Sequence, residues 1–199
     1  MGKVIVGLSV SLDGFIAGAD DGPGKPLGEG GEALFAWMHA GPERNRLHPY
    51  LCPPDASLPV VRGWLEDCGA MISGRRTFDI ANGWGGDHHG VPIFVLTRRA
   101  PDGDQPDWPL VTYVTDVETA MARAKAAAGD SDVLVHGART AQLALAAGVL
   151  DELEIHQIPV LLGQGRRLFD GLPPEHIELE LTRVVDGPGV THLRYRVRR

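Results

Sequence analysis

The sequence predicts an α/β protein built on one mixed, mainly parallel sheet with helices on both faces. Three observations carry that expectation. The first two-thirds of the chain alternates short apolar, β-branched runs with helical stretches, as strand–helix units on a parallel sheet do. The last third drops the helices for longer runs with partial period-two alternation, the mark of antiparallel strands. The composition, 43% apolar and 23% charged over 199 residues, is that of a chain able to bury a core. At this length one domain is the default, and 1–199 is read as a single domain.

The elements follow in order. Residues 3–10 (KVIVGLSV) are almost wholly apolar, which fits a central strand covered on both faces. A loop rich in Gly, Asp and Pro comes next. Residues 32–40 read as a helix, with Leu34, Phe35 and Met38 on one face and Trp37 beside them. Residues 41–57 hold four prolines and little periodicity, so the stretch from about 19 to 57 is expected to be a loop or flap insertion. Residues 58–67 form a second helix, with Pro59 in its first turn. Short strands are expected at 70–73, 93–96, 111–114 and 133–135. The helix at 117–128 takes Asp116 as its N-cap, and the helix at 139–147 ends before Gly148. Strands at 153–160, 177–185 and 190–197 close the chain, the last two joined by a hairpin at Asp186-Gly187-Pro188-Gly189.

Several function classes drop out on composition. No apolar run approaches the roughly 20 residues that span a bilayer. A net charge of −7 argues against nonspecific nucleic-acid binding. The first residues lack the apolar core of an export leader, and a cytoplasmic location is expected. Cys52 and Cys68 then read as reduced thiols, with Cys68 in a helix-like stretch. His88-His89 lacks a third ligand at helical or strand spacing, so no metal is expected.

In open α/β sheets ligands collect at the carboxyl ends of the parallel strands. Three such ends carry donors suited to phosphate: Ser73-Gly74-Arg75-Arg76-Thr77, Leu96-Thr97-Arg98-Arg99 and His136-Gly137-Ala138-Arg139-Thr140. Guanidinium groups bind phosphate bidentately, and a helix N-terminus at small residues offers bare amides and partial positive charge. The natural ligand is an anionic dinucleotide. The paired arginines favour NADPH over NADH, because a 2′-phosphate needs cationic partners. Neither the GxGxxG spacing nor a P-loop is present.

These pieces, together with Ser11-Leu12-Asp13-Gly14-Phe15-Ile16-Ala17-Gly18, Gly148-Val149-Leu150-Asp151-Glu152 and Pro159-Val160-Leu161-Leu162-Gly163-Gln164-Gly165, occur in an order that resembles the dihydrofolate-reductase-like superfamily. Within it the chain is most similar to stand-alone proteins resembling the reductase domain of bifunctional riboflavin-biosynthesis enzymes. The resemblance implies a mixed, mostly parallel sheet of eight strands with NADPH lying across the strand ends. It implies an oxidoreductase like 5-amino-6-(5-phosphoribosylamino)uracil reductase or dihydrofolate reductase. By matched position, Gly74, Arg75, Arg76 and Thr77 hold the 2′-phosphate and pyrophosphate region, and Thr97 and Arg98 flank the adenosine end. Gly137, Ala138, Arg139 and Thr140 cradle the pyrophosphate, and the backbone near Ser9, Ile16 and Ala17 holds the nicotinamide carboxamide. A homodimer and a small-molecule substrate are expected, with no nucleic acid and no membrane among the partners.

The chain departs from these relatives where they bind substrate. Val61 stands where folate reductases carry the pterin-binding carboxylate, although Trp64 matches. Gly7 stands where riboflavin-pathway reductase domains carry a lysine, and Val135-His136-Gly137 replaces Glu-Gly-Gly. Asp13 and His136 are the candidate catalytic residues, with Glu66 and Asp67 behind them. The leading function is hydride transfer from NADPH to a small heterocyclic or carbonyl/imine substrate other than dihydrofolate. The alternative is a non-catalytic protein of the same fold that binds a dinucleotide or a pterin-like ligand. A flavin-using enzyme is a third, weaker reading.

Overall fold

A computed structural model describes residues 2–48, 51–99, 106–172 and 174–198. The main sheet contains β1 (Val4–Ser11), β3 (Cys68–Gly74), β4 (Ile93–Leu96), β5 (Val111–Val114), β6 (Asp132–His136), β7 (Glu152–Ile158), β9 (Leu179–Gly187) and β10 (Val190–Val197). Its strand order is β5-β4-β3-β6-β1-β7-β10-β9, eight strands in all. The first six run parallel, and β10 and β9 add an antiparallel edge. This is the expected mixed, mostly parallel sheet with its C-terminal hairpin. The hairpin turn is Pro188-Gly189, with Gly189 at φ +73°, between the paired Gly187 and Val190.

Helices cover both faces because the parallel strands bury both. On one face α3 (Val117–Ala128) and α4 (Ala138–Ala146) pack their alanine stripes onto Val4, Val6, Ala70, Ile72, Val133 and Val135. Asp116 caps α3 as expected, its carboxylate accepting from the Thr119 amide at 2.7 Å. The opposite face carries α1 (Leu58–Glu66) and α2 (Arg75–Ile80). There Trp64 of α1 packs near Ile5, Cys68 and Leu134, and Phe78 of α2 packs on Met71, Ile93 and Val95.

Three expectations change. Residues 32–40 are not one helix but two 3-10 turns, Gly31–Leu34 and Ala36–His39, separated by Phe35 at φ −115°. Cys68 opens β3 instead of lying in a helix. The loop after β1 contains a short strand, β2 (Phe15–Ala17), paired with β8 (Arg166–Arg167) in a separate two-stranded ribbon. The other expected elements lie within two residues of their limits, while α2 and the 3-10 turns Glu43–Asn45 and Asn82–Gly86 had no assigned limits.

Candidate functional site

The carboxyl ends of β3 and β6 lie side by side, with Ser73 opposite His136. Each strand then passes through a glycine into a helix, and the two turns interlock. A Cβ at Gly137 would lie 2.5 Å from Thr77 Oγ1, and one at Gly74 would lie 2.7 Å from Thr140 Oγ1. Gly137 also sits at φ +94°, a conformation closed to most side chains. The first turn of α4 has no side-chain cap, so its amides stay available to an anion.

The cations around these turns point in distinct directions. Arg75 Nε donates to both Asp79 oxygens at 2.7 and 2.9 Å, and its guanidinium lies 5.5 Å from the Tyr113 ring at the end of β5. Arg76 turns the other way, to Asp21, which also takes Arg166 at 2.7 and 3.0 Å. These two arginines hold the Asp21 carboxyl below its usual range against the opposing effect of burial. Thr97 follows β4, and its hydroxyl donates to the Arg99 carbonyl at 2.9 Å. Arg98 and Arg139 are exposed and make no ion pair among the described residues. The uncapped amides at the start of α4 thus lie beside the turn that carries Arg75 and Arg76, which fits an anionic dinucleotide.

Asp13, a candidate catalytic residue, is held by three hydrogen bonds. Its carboxylate accepts from Ser11 Oγ at 2.6 Å, Leu162 N at 3.1 Å and Gly163 N at 2.7 Å. The Ser11 hydroxyl, helped by the two amides, lowers its pKa to about 2. The side chain is ionised at neutral pH and pins the turn after β7. Ser9 is buried, and its hydroxyl accepts from Trp37 Nε1 at 3.0 Å. Ile16 and Ala17 lie on β2, where the Ala17 carbonyl would meet a Cβ at Gly165 at 2.1 Å.

His136 ends β6 between the glycine turns and a cleft on the α1 face of the sheet. Its ring meets Trp84 at 5.9 Å and His88 at 5.4 Å between centroids. Burial, with the nearby His89, lowers its pKa to about 4. Trp84 is brought there by an unusual backbone run: Asn82, Gly83, Trp84 and Gly85 all have φ between 49° and 67°. Such a conformation is costly for a bulky residue. No three histidine, cysteine, aspartate or glutamate side chains are arranged to hold a metal ion among the described residues. Both cysteines are buried, and burial pushes the Cys68 thiol up, away from thiolate chemistry.

The floor of the cleft holds residues that sequence patterning passed over. Gly7 is half-exposed although β1 lies between β6 and β7. Opposite Gly7 and Ser9 on β7 stand Glu154 and His156, both buried. Glu154 accepts from Trp64 Nε1 at 3.0 Å and pairs with Arg183 of β9. His156 Nδ1 lies 2.8 Å from His192 Nδ1 on β10, and His192 Nε2 lies 2.9 Å from Ser57 Oγ. The signal available in sequence was three polar residues, Glu152, Glu154 and His156, at alternate positions of one central strand. Asp67 is exposed and lines a cavity shared with Trp64, Glu154 and Arg183, while Glu66 is exposed outside that lining.

Among curated proteins none matches the chain. Among solved structures, a putative riboflavin biosynthesis protein from Shewanella sp. PV-4 aligns at 24% identity and a TM-score of 0.71, covering 99% of each chain. A pyrimidine reductase-like protein from Corynebacterium diphtheriae aligns at 15% identity and 0.57, over 99% of this chain and 92% of that one. Dihydrofolate reductase from Enterococcus faecalis, complexed with NADP(H), aligns at 14% identity and 0.61, over 100% and 98%. At such identities these likenesses establish the dihydrofolate-reductase-like fold. The family model for the RibD C-terminal domain matches residues 2–193, and the chain belongs to that family of reductase-like proteins.

Proposed function

We propose that the protein is an NADPH-dependent reductase acting on a small heterocyclic or carbonyl/imine substrate. The observation that carries this reading is the interlocked pair of glycine turns at Gly74 and Gly137, flanked by arginines and opening beside the Gly7 cleft. When bound, the dinucleotide supplies the hydride; the protein's part is orientation and electrostatics. Arg75, with Thr97 and Arg98, takes the 2′-phosphate and adenosine end. Arg76 and the Gly137-Ala138-Arg139-Thr140 turn take the pyrophosphate. The backbone near Ser9, Ile16 and Ala17 receives the nicotinamide carboxamide.

Asp13 is assigned to positioning: ionised and triply hydrogen-bonded, it fixes the Leu162–Gly163 turn at the reacting end. His136 is the residue whose neutral imidazole joins the cofactor turn to the cleft, where it orients by hydrogen bonding. The fold likeness to an enzyme complexed with NADP(H) and to a pyrimidine reductase-like protein agrees with this reading. A homodimer belongs to the proposal, supported by exposed Leu179, Leu181 and Val184 on edge strand β9. Sedimentation at micromolar concentration tests it, and a monomer there refutes it.

Calorimetry with NADPH, followed by loss of NADPH absorbance against a panel of pterins, pyrimidines, quinones and imines, tests the function. Binding with turnover of one class is the expected result. Tight binding with no turnover on any member favours the non-catalytic alternative, and no heat with either pyridine coenzyme overturns the reading.

A further inference from the structure

On the α1 face of the sheet, β7 and β10 present a run of buried polar groups whose partners can be counted. Glu152 takes Lys3 and Arg194. Glu154 takes Arg183 and the Trp64 indole. His192 takes His156 on one ring nitrogen and Ser57 on the other. One atom is left over: His156 Nε2, in a residue with no exposed surface, has no hydrogen-bond partner among the described residues. An orphaned buried polar atom is costly unless something meets it.

The orphan lies beneath Gly7, whose own backbone is partly exposed. A Cβ built on Gly7 would stand 3.9 Å from His156 Nε2 and 3.8 Å from Trp64 Nε1, with nothing else within 4 Å. Gly7 therefore leaves room above both nitrogens. Trp64 and Trp37 flank the imidazole, at 4.7 and 5.4 Å between ring centroids. The surrounding cations are all engaged, Arg183 with Glu154 and both Lys3 and Arg194 with Glu152.

The histidine pair also has a linked choice of tautomers. With both rings neutral, one proton lies between the two Nδ1 atoms. If His156 carries it, His192 Nε2–H donates to Ser57 and His156 Nε2 is a bare acceptor. If His192 carries it, the Ser57 hydroxyl donates to His192 Nε2 and His156 Nε2–H is a donor. Each form keeps every bond in the Ser57–His192–His156 chain.

We propose that His156 Nε2 is the substrate-reading atom of the cleft, meeting the polar edge of a flat, uncharged ring laid over Gly7, and that the Ser57–His192 chain lets it serve as donor or acceptor. Resting on the reductase reading, this names the group that recognises the substrate and the kind of ring it admits. It also gives Gly7 a purpose, since a side chain there would occupy the ring's place. Burial, reinforced by His192 and Arg183, keeps His156 uncharged, as a reader of neutral rings requires.

The test uses protein labelled with ¹⁵N at histidine, with and without NADP⁺, and two single-mode probes: aniline, which offers N–H donors, and N-methyl-2-pyridone, which offers only a carbonyl acceptor. The expected result is that both probes move the His156 Nε2 resonance, aniline toward the bare form and N-methyl-2-pyridone toward the protonated form. In Gly7→Ala the new methyl makes only ordinary contacts, so the fold persists and NADP⁺ affinity is kept, while both probes bind about tenfold more weakly or worse. His156→Gln, with an amide that cannot relay, loses the opposite responses. An Nε2 resonance unmoved by both probes, or Gly7→Ala binding them as the parent does, overturns the proposal. A response to one probe alone overturns the relay. Failure of NADP⁺ to bind while His156 still answers the probes counts against the cofactor reading and leaves this one standing.

Discussion

Acidification from pH 7 to pH 5 is expected to lower the protein's stability, through histidines more than carboxylates. Three histidines, His192 buried and His88 and His136 partly buried, have pKa values far below their ordinary one: His88 at about 3, His136 at about 4 and His192 at about 4. Burial is the main cause in each. His136 and His89 add repulsion at His88, His89 does so at His136, and Arg183 does so at His192. The unfolded chain titrates these groups near 6.5. Between about pH 6.5 and pH 4 the unfolded state takes up protons that the folded state refuses, so stability falls as pH falls. At pH 5 each histidine then costs about 2 kcal/mol, or about 6 kcal/mol for the three. A domain typically has about 5–15 kcal/mol in hand. Asp13, lowered to about 2, and the lowered Asp21, Asp55 and Asp116 act only at more acid pH and do not blur the window. Urea unfolding followed by tryptophan fluorescence at pH 7, 6 and 5 reads the effect. The midpoint should fall steeply, and His192→Gln should flatten the slope by about 1.4 kcal/mol per pH unit. Midpoints that coincide at pH 7 and pH 5 would refute the reasoning.

Further outcomes are open to measurement. Arg75→Ala should weaken NADPH by about 10- to 100-fold, as expected for a lost charge-assisted contact to phosphate, with NADH much less affected; equal weakening of both coenzymes contradicts the 2′-phosphate role. Gly137→Ala should abolish dinucleotide binding while circular dichroism still reports a folded chain, because the methyl meets the Thr77 hydroxyl and the backbone sits at φ +94°. Unchanged NADPH affinity there removes the cradle. Asp13→Asn should speed hydrogen exchange at the Leu162 and Gly163 amides and lower turnover, leaving NADPH affinity near that of the parent. Exchange at the parental rate would show that the carboxylate does not hold the turn.

What could be read along the chain was what local chemistry decides. The Asp116 cap, the Pro188-Gly189 hairpin and the alanine-rich α3 each follow from residues within a few positions of one another. The phosphate-suited turns were legible for the same reason, since arginine and threonine stand together in each, with glycine in two of them. Strands β2 and β8 were not, because two or three residues carry no period and the pairing joins positions about 150 apart. The helix expected at 32–40 had the right apolar spacing, but that spacing also suits consecutive 3-10 turns. The cleft floor was hidden for a deeper reason. Trp64 meets Glu154 across 90 positions of chain, and Ser57 meets His192 across 135. A polar residue in a central strand looks like noise until its partners from other elements arrive.

Those partners explain why α1 lacks the carboxylate that folate reductases carry. Val61 is fully buried in a cluster with Leu34, Trp37, Ile158 and Val190, so an acid at that position would face apolar groups. The cleft's carboxylate lies instead on the sheet, at Glu154, where Arg183 neutralises it and the Trp64 indole from α1 binds its other oxygen. The charge that would grip a protonated ring is thus already satisfied. Restoring the acid by Val61→Asp should therefore not restore folate chemistry. It should cost about 3 kcal/mol or more for a buried, unpaired carboxylate, a fall in Tm on the order of 10 °C in a protein of this size. Thermal unfolding and a dihydrofolate assay read the two effects separately. A Val61→Asp protein that keeps its Tm and gains dihydrofolate turnover would show that the helix, and not β7, holds the substrate-binding position.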